Sequence, residues 1–298
     1  MSTVTSSALT VPARGRQLVA DYVELTKPKV QTLLLFTTVM TMEIAGSPSV
    51  SKIAITCLGG YLSAGGAGAV NHYYDRDIDA KMKRTASRPI PAGRVSPRAA
   101  LIYGITLSAL SFLLLWTFVN LLSASLALAG FLGYVWVYTI WLKRRTPQNI
   151  VIGGAAGAVP PLVGWAAVQG SLAWTAVYLF AIVFYWTPPH FWALSLLMKD
   201  EYAKVNVPMM PVARGERETR RQILLYTLLL YAISQLPFCA GEFGGFYLVA
   251  SMVLGLAFIG GALWLYRKPS RRVALRLYLF SLAYLALLFS AMVADVKL

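Results

Sequence analysis

Charged residues are scarce in this chain, and acidic residues are the scarcer kind. Asp, Glu, Lys and Arg make up 13% of the 298 residues, and only 12 of them are acidic. A soluble domain would carry roughly 25% charged residues. Hydrophobic residues reach 57%. This composition excludes an ordinary soluble protein and predicts an all-α, polytopic membrane protein.

Cysteine and histidine are also rare, with two of each in the chain. Cys57 and Cys239 fall in separate apolar stretches, so we expect neither a disulfide framework nor a cysteine-based metal site. Residues 1–29 lack the apolar core of a signal peptide, and Asp21 and Glu24 argue against a transit peptide. We therefore expect 1–29 to be a cytoplasmic tail with a short amphipathic approach to the first span.

Long apolar runs are what the sequence has in abundance. A transmembrane helix needs about 20 consecutive apolar residues, and nine runs of suitable length can be placed along 30–298. We therefore predict one transmembrane domain of nine helices over 30–298. The predicted spans are 30–47, 52–74, 98–119, 121–142, 150–168, 172–197, 221–241, 244–266 and 274–294.

The basic residues indicate how these spans are oriented. All but two of the 27 Lys and Arg residues lie in the N-terminal tail or in alternate connections between spans. By the positive-inside rule, the N-terminus is cytoplasmic and the C-terminus lies outside, which requires an odd number of spans. The net charge of +15 is then mainly a topology signal, and nucleic acid is not an expected partner.

Two connections on the cytoplasmic side are long and rich in charge. The first loop reads DRDIDAKMKRTASRPIPAGRVSP and follows the second span, whereas the second loop reads KDEYAKVNVPMMPVARGERETRR and follows the sixth. Each begins with acidic residues and continues into basic residues and a proline-rich turn. Their positions, four spans apart, predict a parallel repeat of spans one to four and five to eight, followed by a ninth span.

An oxygen-rich stripe opens the first loop. Asn71, Asp75 and Asp79 are four residues apart, so a helix places all three on one side and Asp77 on another. Carboxylate and carboxamide oxygens suit Mg²⁺, which commonly binds one or two carboxylates together with substrate phosphates. The alternative is that these acids end a helix in water and neutralise nearby lysines. A second acidic loop on the same side, at Lys199–Glu201, favours the metal site.

At these residues the sequence resembles the UbiA superfamily of intramembrane prenyltransferases. The stripe, the following RTASRPIPAG and the second acidic loop match the family's two diphosphate motifs in order and location. Within the family, three stretches are similar to the branch whose acceptor is heme. They are LTKPKV at 25–30, KRRTPQNIVIGGAAGAVPPLVGW at 143–165 and YWTPPHFWALSLLMKDEYAKVNVPMMPV at 185–212.

One departure from the family pattern concerns the second loop. Many relatives carry two Asp residues four apart, but here Asp200 is followed at that spacing by Lys204, which leaves Glu201 as the nearby carboxylate. The number of metal ions, and the loop that holds them, stay open.

The resemblance implies a helical bundle around a central cavity, with cytoplasmic loops that close over a diphosphate. The implied reaction is Mg²⁺-dependent transfer of farnesyl from farnesyl diphosphate to a vinyl group of heme B, with addition of water, giving heme O. The implied partners are these two substrates and the lipid bilayer, with heme A synthase or terminal-oxidase assembly proteins as candidates. The compact chain favours a bacterial plasma membrane over the mitochondrial inner membrane.

The resemblance also assigns roles to residues. The expected metal ligands are Asn71, Asp75, Asp79 and Asp200, which with His190 form the expected catalytic set. The expected diphosphate-binding residues are Lys27, Lys83, Arg84, Arg88, Lys143 and Arg144. Aromatic faces such as Tyr134, Tyr185 and Trp186 could shield an allylic cation.

The two histidines receive different expectations. His190 lies within the sixth span, after Pro188 and Pro189, which should disturb the helix. Three roles stay open for it: a ligand of the heme iron, a carrier of protons to the reacting vinyl group, or a hydrogen-bonded structural histidine. His72, beside the stripe but off its face, is expected at the edge of the loop.

Two rival functions stay open. An aromatic prenyltransferase of the quinone type would share the diphosphate motifs but usually lack the Pro-His-Phe-Trp run at 189–192. A secondary transporter would also have repeats and intramembrane charges, but it has no evident need for acidic and basic loops at one membrane face.

Overall fold

The computed structural model describes residues 11–298, and the described part is helical with no β-strand. The first ten residues of the predicted tail lie outside it. The elements are α1 Val11–Leu25, α2 Pro28–Ala45, α3 Val50–Tyr74, α4 Arg76–Asp79, α5 Pro97–Phe118, α6 Leu121–Leu132, a π-helical continuation Gly133–Leu142, α7 Asn149–Gly157, α8 Val159–Gln169, α9 Trp174–Leu197, α10 Lys199–Lys204, α11 Met210–Ala213, α12 Gly215–Cys239, α13 Gly245–Arg267 and α14 Arg271–Lys297.

Seven helices in the described residues are long and apolar enough to cross a membrane. They correspond to the second to fifth and the seventh to ninth predicted spans. The other two predicted spans form helices α2 and α9, of 18 and 24 residues. Lys29 and Glu43 lie in α2, and Pro188, Pro189 and His190 lie in α9. The count of nine spans and the orientation of the termini stay predictions.

Local sequence explains where the helices begin. Ser96 precedes α5 and accepts a hydrogen bond from the amide of Ala99, and Pro97 occupies the first helical position. Asn120 caps α6 in the same way through the amide of Ser123, at 2.8 Å. The helix α12 begins at Gly215, six residues before the predicted span, because its acidic first turn suits the positive end of a helix.

The long helices pack side by side. The last of them, α14, contacts α13, α9 and the first long helix, α2. The pair α3 and α5 packs most closely. A methyl group on Gly66 would lie 2.5 Å from the carbonyl oxygen of Gly104, so only glycine allows this approach. The contact fixes the end of α3, which carries the acidic stripe.

The two prolines of α9 do not end the helix, and whether they bend it stays a prediction. Pro188 and Pro189 lie within a continuous helix from Trp174 to Leu197. Prolines in membrane helices are tolerated where neighbouring helices and side chains satisfy the freed backbone groups. Here α9 is packed against α12, α14 and α7, and this surrounding structure keeps the helix intact.

Candidate active site

The acidic stripe keeps its helical spacing across a break in the helix. The helix α3 ends at Tyr74, yet the amide of Asp75 bonds to the carbonyl of Asn71 and that of Asp79 bonds to the carbonyl of Asp75. The three side chains therefore keep their helical spacing and are all buried, with 2%, 1% and 4% exposure. Asn71 Nδ2 also donates to Asp75 Oδ2 at 2.7 Å.

Each member of the stripe contacts a basic side chain from a different part of the chain. Lys27, between α1 and α2, donates to Asn71 Oδ1. Lys143, after the π-helical segment, donates to Asp75 Oδ2. Arg88, in the first loop, donates to Asp79 Oδ2 at 2.7 Å. These six residues, which we call the polar cluster, put three cations beside oxygen ligands in a buried setting.

The backbone at Lys27 is unusual. Its φ and ψ are both 55°, the left-handed region that a non-glycine residue adopts at a cost of about 1–2 kcal/mol. The amide of Val30 bonds to its carbonyl, and Gln31 Nε2 bonds to the carbonyl of Thr26 at 2.7 Å. These bonds hold the turn that aims the ammonium group at Asn71.

The pKa of Lys27 is lowered to about 7, first by burial and then by the neighbouring charges of Arg88 and Lys143, while Asp75 and Asp79 oppose the shift. An anion bound beside Lys27 would therefore favour its charged form. The protonation state of Lys27 would therefore depend on whether an anion is bound beside it.

The π-helical segment positions two members of the site. Its wider turn is closed by the bond from the amide of Lys143 to the carbonyl of Tyr138, five residues back. Thr139, in the same segment, accepts a hydrogen bond from Asn71 at 3.1 Å. Thr139 is not predicted as a site residue from the sequence, because no pattern distinguishes it from the other threonines.

Two tyrosines of the same segment face the cations. Lys27 Nζ lies 5.9 Å from the ring centre of Tyr134, and Lys143 Nζ lies 6.0 Å from that of Tyr138. Of the aromatic residues proposed from sequence, Tyr134 is therefore beside the polar cluster. Trp186 instead stacks on His190, at 4.3 Å.

Asp77 lies apart from the stripe, as the helical spacing predicts. Its side chain is 55% exposed, and both terminal nitrogens of Arg144 bond to it, at 2.7 and 2.6 Å. Hydrogen bonding to Arg144 lowers the pKa of Asp77. Arg144 also donates to the carbonyl of Tyr74, so this predicted phosphate-binding residue is engaged at the edge of the cluster, 3.7 Å from Asp75 Oδ1.

The two loops meet through a residue other than Asp200. Glu201 Oε2 accepts a hydrogen bond from the main-chain amide of Lys83 at 2.8 Å. Asp200 is exposed and makes no side-chain hydrogen bond within the described residues. The side chains of Lys83 and Arg84 are exposed too. Their predicted contacts with a ligand stay predictions.

The prediction that His72 lies at the edge of the loop is wrong. It lies within α3 with 1% exposure, not at a loop edge, and neither ring nitrogen has a hydrogen-bond partner in the described residues. The face of α3 that carries it also carries Gly68, where a methyl group would lie 3.0 Å from the carbonyl oxygen of Leu25. The chain before α2 covers this face, which the sequence pattern did not reveal.

His190 lies in α9 and is buried against α14, and it contacts no member of the polar cluster. Its Nδ1 and the hydroxyl of Ser281 are 2.7 Å apart, and its ring stacks between Trp186 and Tyr278. Nε2 makes no hydrogen bond within the part of the chain described. The geometry fits a structural histidine and leaves Nε2 available for a ligand.

The polar cluster offers oxygen ligands of the kind that Mg²⁺ prefers. Asp75 Oδ1 is buried without a hydrogen bond, an orphaned acceptor of the kind a cation satisfies. In residues 11–298, no three or more His, Cys, Asp or Glu side chains are arranged so that they could hold a metal ion by themselves. The donor set therefore suits a hard cation shared with phosphate oxygens better than an all-protein metal cage.

These features define a helical protein that has apolar helices long enough to span a membrane and a buried cluster of oxygen ligands and basic side chains. The chain belongs to the UbiA prenyltransferase family, whose sequence profile matches residues 32–288.

Relatives narrow the class further. A protoheme IX farnesyltransferase of Chloroflexus aurantiacus is 54% identical over 296 residues, which are 99% of this chain but 50% of that protein. One from Thermus thermophilus is 55% identical over 277 residues, 92% of this chain and 46% of that protein. The chain thus spans about half the length of these relatives. The protoheme IX farnesyltransferase of Symbiobacterium thermophilum is 54% identical over 94% of this chain and 95% of its own length.

Solved structures share the fold. One from a study of digeranylgeranylglyceryl phosphate synthase has a TM-score of 0.78 at 20% identity, covering 95% of this chain and 100% of that one. A UbiA homolog from Archaeoglobus fulgidus bound to DMAPP and Mg²⁺ has a TM-score of 0.67 at 15% identity, covering 91% and 99%.

Proposed function

We propose that this chain transfers farnesyl from farnesyl diphosphate to a vinyl group of heme B, with addition of water, giving heme O. The names of relatives at about 54% identity support the substrates. The observation that carries the proposal is the polar cluster, in which three buried or half-buried cations converge on Asn71, Asp75 and Asp79.

The first step breaks the bond between C1 of farnesyl and the diphosphate oxygen, and the electron pair leaves with the diphosphate. Lys143 and Arg88 bind the oxygens that gain negative charge, since ion pairs already hold their positive charges beside the site. Lys27, beside Asn71, joins them in its charged form, which the bound diphosphate favours. Removing one such partner typically costs about 3 kcal/mol of barrier, or roughly a hundredfold in rate.

A bound Mg²⁺ would be held by Asn71, Asp75 and Asp79, with Asp200 or Glu201 of the second loop as further candidates. It would supply Lewis-acid stabilisation of the leaving diphosphate. The crystallised family member with DMAPP and Mg²⁺ supports a metal-dependent site. Asp75 provides a buried oxygen that makes no hydrogen bond.

The second step joins the farnesyl cation to the acceptor. The π electrons of the vinyl group form a bond to C1, which leaves a cation on the carbon beside the porphyrin ring, and water adds there and loses a proton. Tyr134 and Tyr138 border the cluster and would stabilise the allylic cation through their ring faces, each by about 1–2 kcal/mol when desolvated.

We propose that His190 contacts the heme through Nε2. Ser281 and the stacked rings of Trp186 and Tyr278 hold the imidazole in place, as supporting groups do for histidines that ligate metals. Replacing His190 with Gln should shift the Soret band of bound heme, whereas a purely structural role would leave that band unchanged in the folded fraction.

The proposal places the protein in a bacterial plasma membrane with nine spans, a cytoplasmic N-terminus and an external C-terminus. The basic residues of the two loops and the positive-inside rule support cytoplasmic active-site loops, and the bond between Glu201 and the first loop supports their closure over one site. Candidate partners beyond the substrates and bilayer are heme A synthase and terminal-oxidase assembly proteins.

The test is a product assay on the purified chain. Incubation with heme B, farnesyl diphosphate and Mg²⁺ should add one hydroxyfarnesyl unit to heme, seen by mass spectrometry, and a chelator should abolish the reaction. Parallel incubations replace heme with a hydroxybenzoate or naphthoate acceptor. Prenylation of those acceptors, with heme unmodified, would refute the heme proposal in favour of a quinone-type enzyme. Mg²⁺-dependent binding of farnesyl diphosphate would count against a transporter.

A further inference from the structure

A second basic site lies away from the polar cluster, where α12 begins and α13 ends. A cavity of about 490 Å³ is lined by Arg214, Arg217, Glu218, Arg221 and Tyr266. We call it the arginine pocket. Three positive charges and one negative charge face it, so it carries a net positive charge.

The charges in the arginine pocket are only partly compensated. Arg221 approaches Glu218 at 3.4 Å, but Arg214 and Arg217 form no ion pair within residues 11–298. All three arginines are exposed. Their guanidinium groups can bind two phosphate oxygens at once, which lysine cannot match.

An apolar surface adjoins the arginine pocket on the same face of α12. Arg217 and Arg221 are four residues apart on α12, and Leu225 and Leu228 follow on nearly the same face. These leucines are exposed, as are many residues of the spanning helices. A ligand seated on the arginines would therefore extend its apolar part along α12.

We propose that the arginine pocket binds the headgroup of an anionic phospholipid from the surrounding bilayer. The phosphate would contact Arg214, Arg217 and Arg221, and the acyl chains would lie against Leu225 and Leu228. Basic pockets between membrane helices on the cytoplasmic side are suited to anionic lipid headgroups. The positive-inside rule explains basic residues at this face, but it does not require them to converge on a cavity with a tyrosine.

The experiment uses the purified full chain in detergent with phosphatidylglycerol or phosphatidylcholine, and it counts bound lipid by native mass spectrometry. Phosphatidylglycerol should remain bound to the unaltered chain. The triple variant Arg214→Gln, Arg217→Gln, Arg221→Gln should weaken that binding at least about tenfold, since each basic group near the surface contributes to anionic-lipid attraction. Phosphatidylcholine should bind weakly to both proteins.

A matched control distinguishes binding in the arginine pocket from a general effect of the positive charge of the protein. Lys29→Gln, Arg98→Gln, Arg272→Gln removes three exposed positive charges elsewhere and should retain phosphatidylglycerol. Equal losses in the two triple variants, or no loss in either, would refute the site.

Two further measurements test whether misfolding or a soluble ligand explains the result. Glu218→Gln removes the negative charge of the pocket and should tighten binding of phosphatidylglycerol, an effect that damage to the fold would not produce. Inorganic phosphate is tested alone. Stabilisation by phosphate that depends on the arginines, without retention of phosphatidylglycerol, would overturn the lipid proposal. These outcomes do not depend on the prenyl transfer reaction.

Discussion

The helix α1 is tied to the first loop by an ion pair whose loss should weaken substrate binding. Asp21 is buried, at 2% exposure, and Arg94 Nε donates to it at 2.8 Å. Arg94 also donates to the carbonyl of Ser87 at 3.0 Å. Ser87 is followed by Arg88, which bonds to Asp79. We therefore expect Arg94→Ala to release the segment that holds Arg88 against Asp79, and so to weaken binding of farnesyl diphosphate at the proposed site.

The free-energy cost of losing the ion pair between Asp21 and Arg94 depends on how exposed the pair is. Removing one partner of a fully buried ion pair costs about 3–5 kcal/mol, but the side chain of Arg94 is 34% exposed. A hydrogen bond to a charged group is worth about 1.5–3 kcal/mol, so about 2 kcal/mol is the appropriate scale. If that energy holds the loop in its binding position, KM for farnesyl diphosphate should rise by up to about thirtyfold.

Steady-state kinetics with heme B and varied farnesyl diphosphate measure this effect. We expect Arg94→Ala to raise KM with kcat changed less than about threefold, because Arg94 does not touch the reacting atoms. Arg98→Ala, which removes an exposed arginine from the next helix, is the matched control. A variant that loses thermal stability while its KM stays normal would refute the reasoning, as would equal effects of Arg94→Ala and Arg98→Ala.

Three other predictions, two of them with a control variant, concern separate parts of the structure. Lys143→Met removes the cation beside Asp75 and should lower kcat about a hundredfold; an unchanged kcat would contradict its role. Glu201→Ala should raise KM for farnesyl diphosphate about threefold or more by freeing the first loop, and Glu201→Gln, which keeps an acceptor oxygen, should largely restore it; no difference between the two would count against the loop contact. Gly104→Ala should lower stability by about 1–3 kcal/mol, seen as a lower melting temperature in detergent, because its methyl group would lie 2.7 Å from the carbonyl oxygen of Gly66. Gly260→Ala, with nothing within 4 Å, should melt like the unaltered chain.

Periodicity and composition predicted much of the helical arrangement. Apolar runs located the long helices because a lipid environment demands backbone bonds within each segment. The four-residue spacing of Asn71, Asp75 and Asp79 predicted a shared face, and hydrogen bonds across the end of α3 preserve that spacing. Asp77 lies on another face for the same geometric reason.

Other features depend on contacts that no local pattern encodes. Lys27 reaches Asn71 through a left-handed turn, and Lys143 reaches Asp75 from the end of a π-helical segment. The burial of His72 depends on how the chain before α2 packs on α3. Glu201 meets the first loop while its neighbour Asp200 stays exposed, because one residue along a helix turns a side chain by about 100°.

The central claim is that the buried stripe is where diphosphate departs, and a matched pair of Asp variants tests it most directly. Asp75→Asn removes the charge of a residue at 1% exposure, whereas Asp77→Asn removes one from a side chain that is 55% exposed and lies off the stripe. Formation of heme O from heme B and farnesyl diphosphate, followed by mass spectrometry in saturating Mg²⁺, should fall about a hundredfold or more in Asp75→Asn. Asp77→Asn should stay within about threefold of the unaltered chain, since its carboxylate bonds to Arg144 and to no member of the stripe. Equal activity of the two variants would contradict the account.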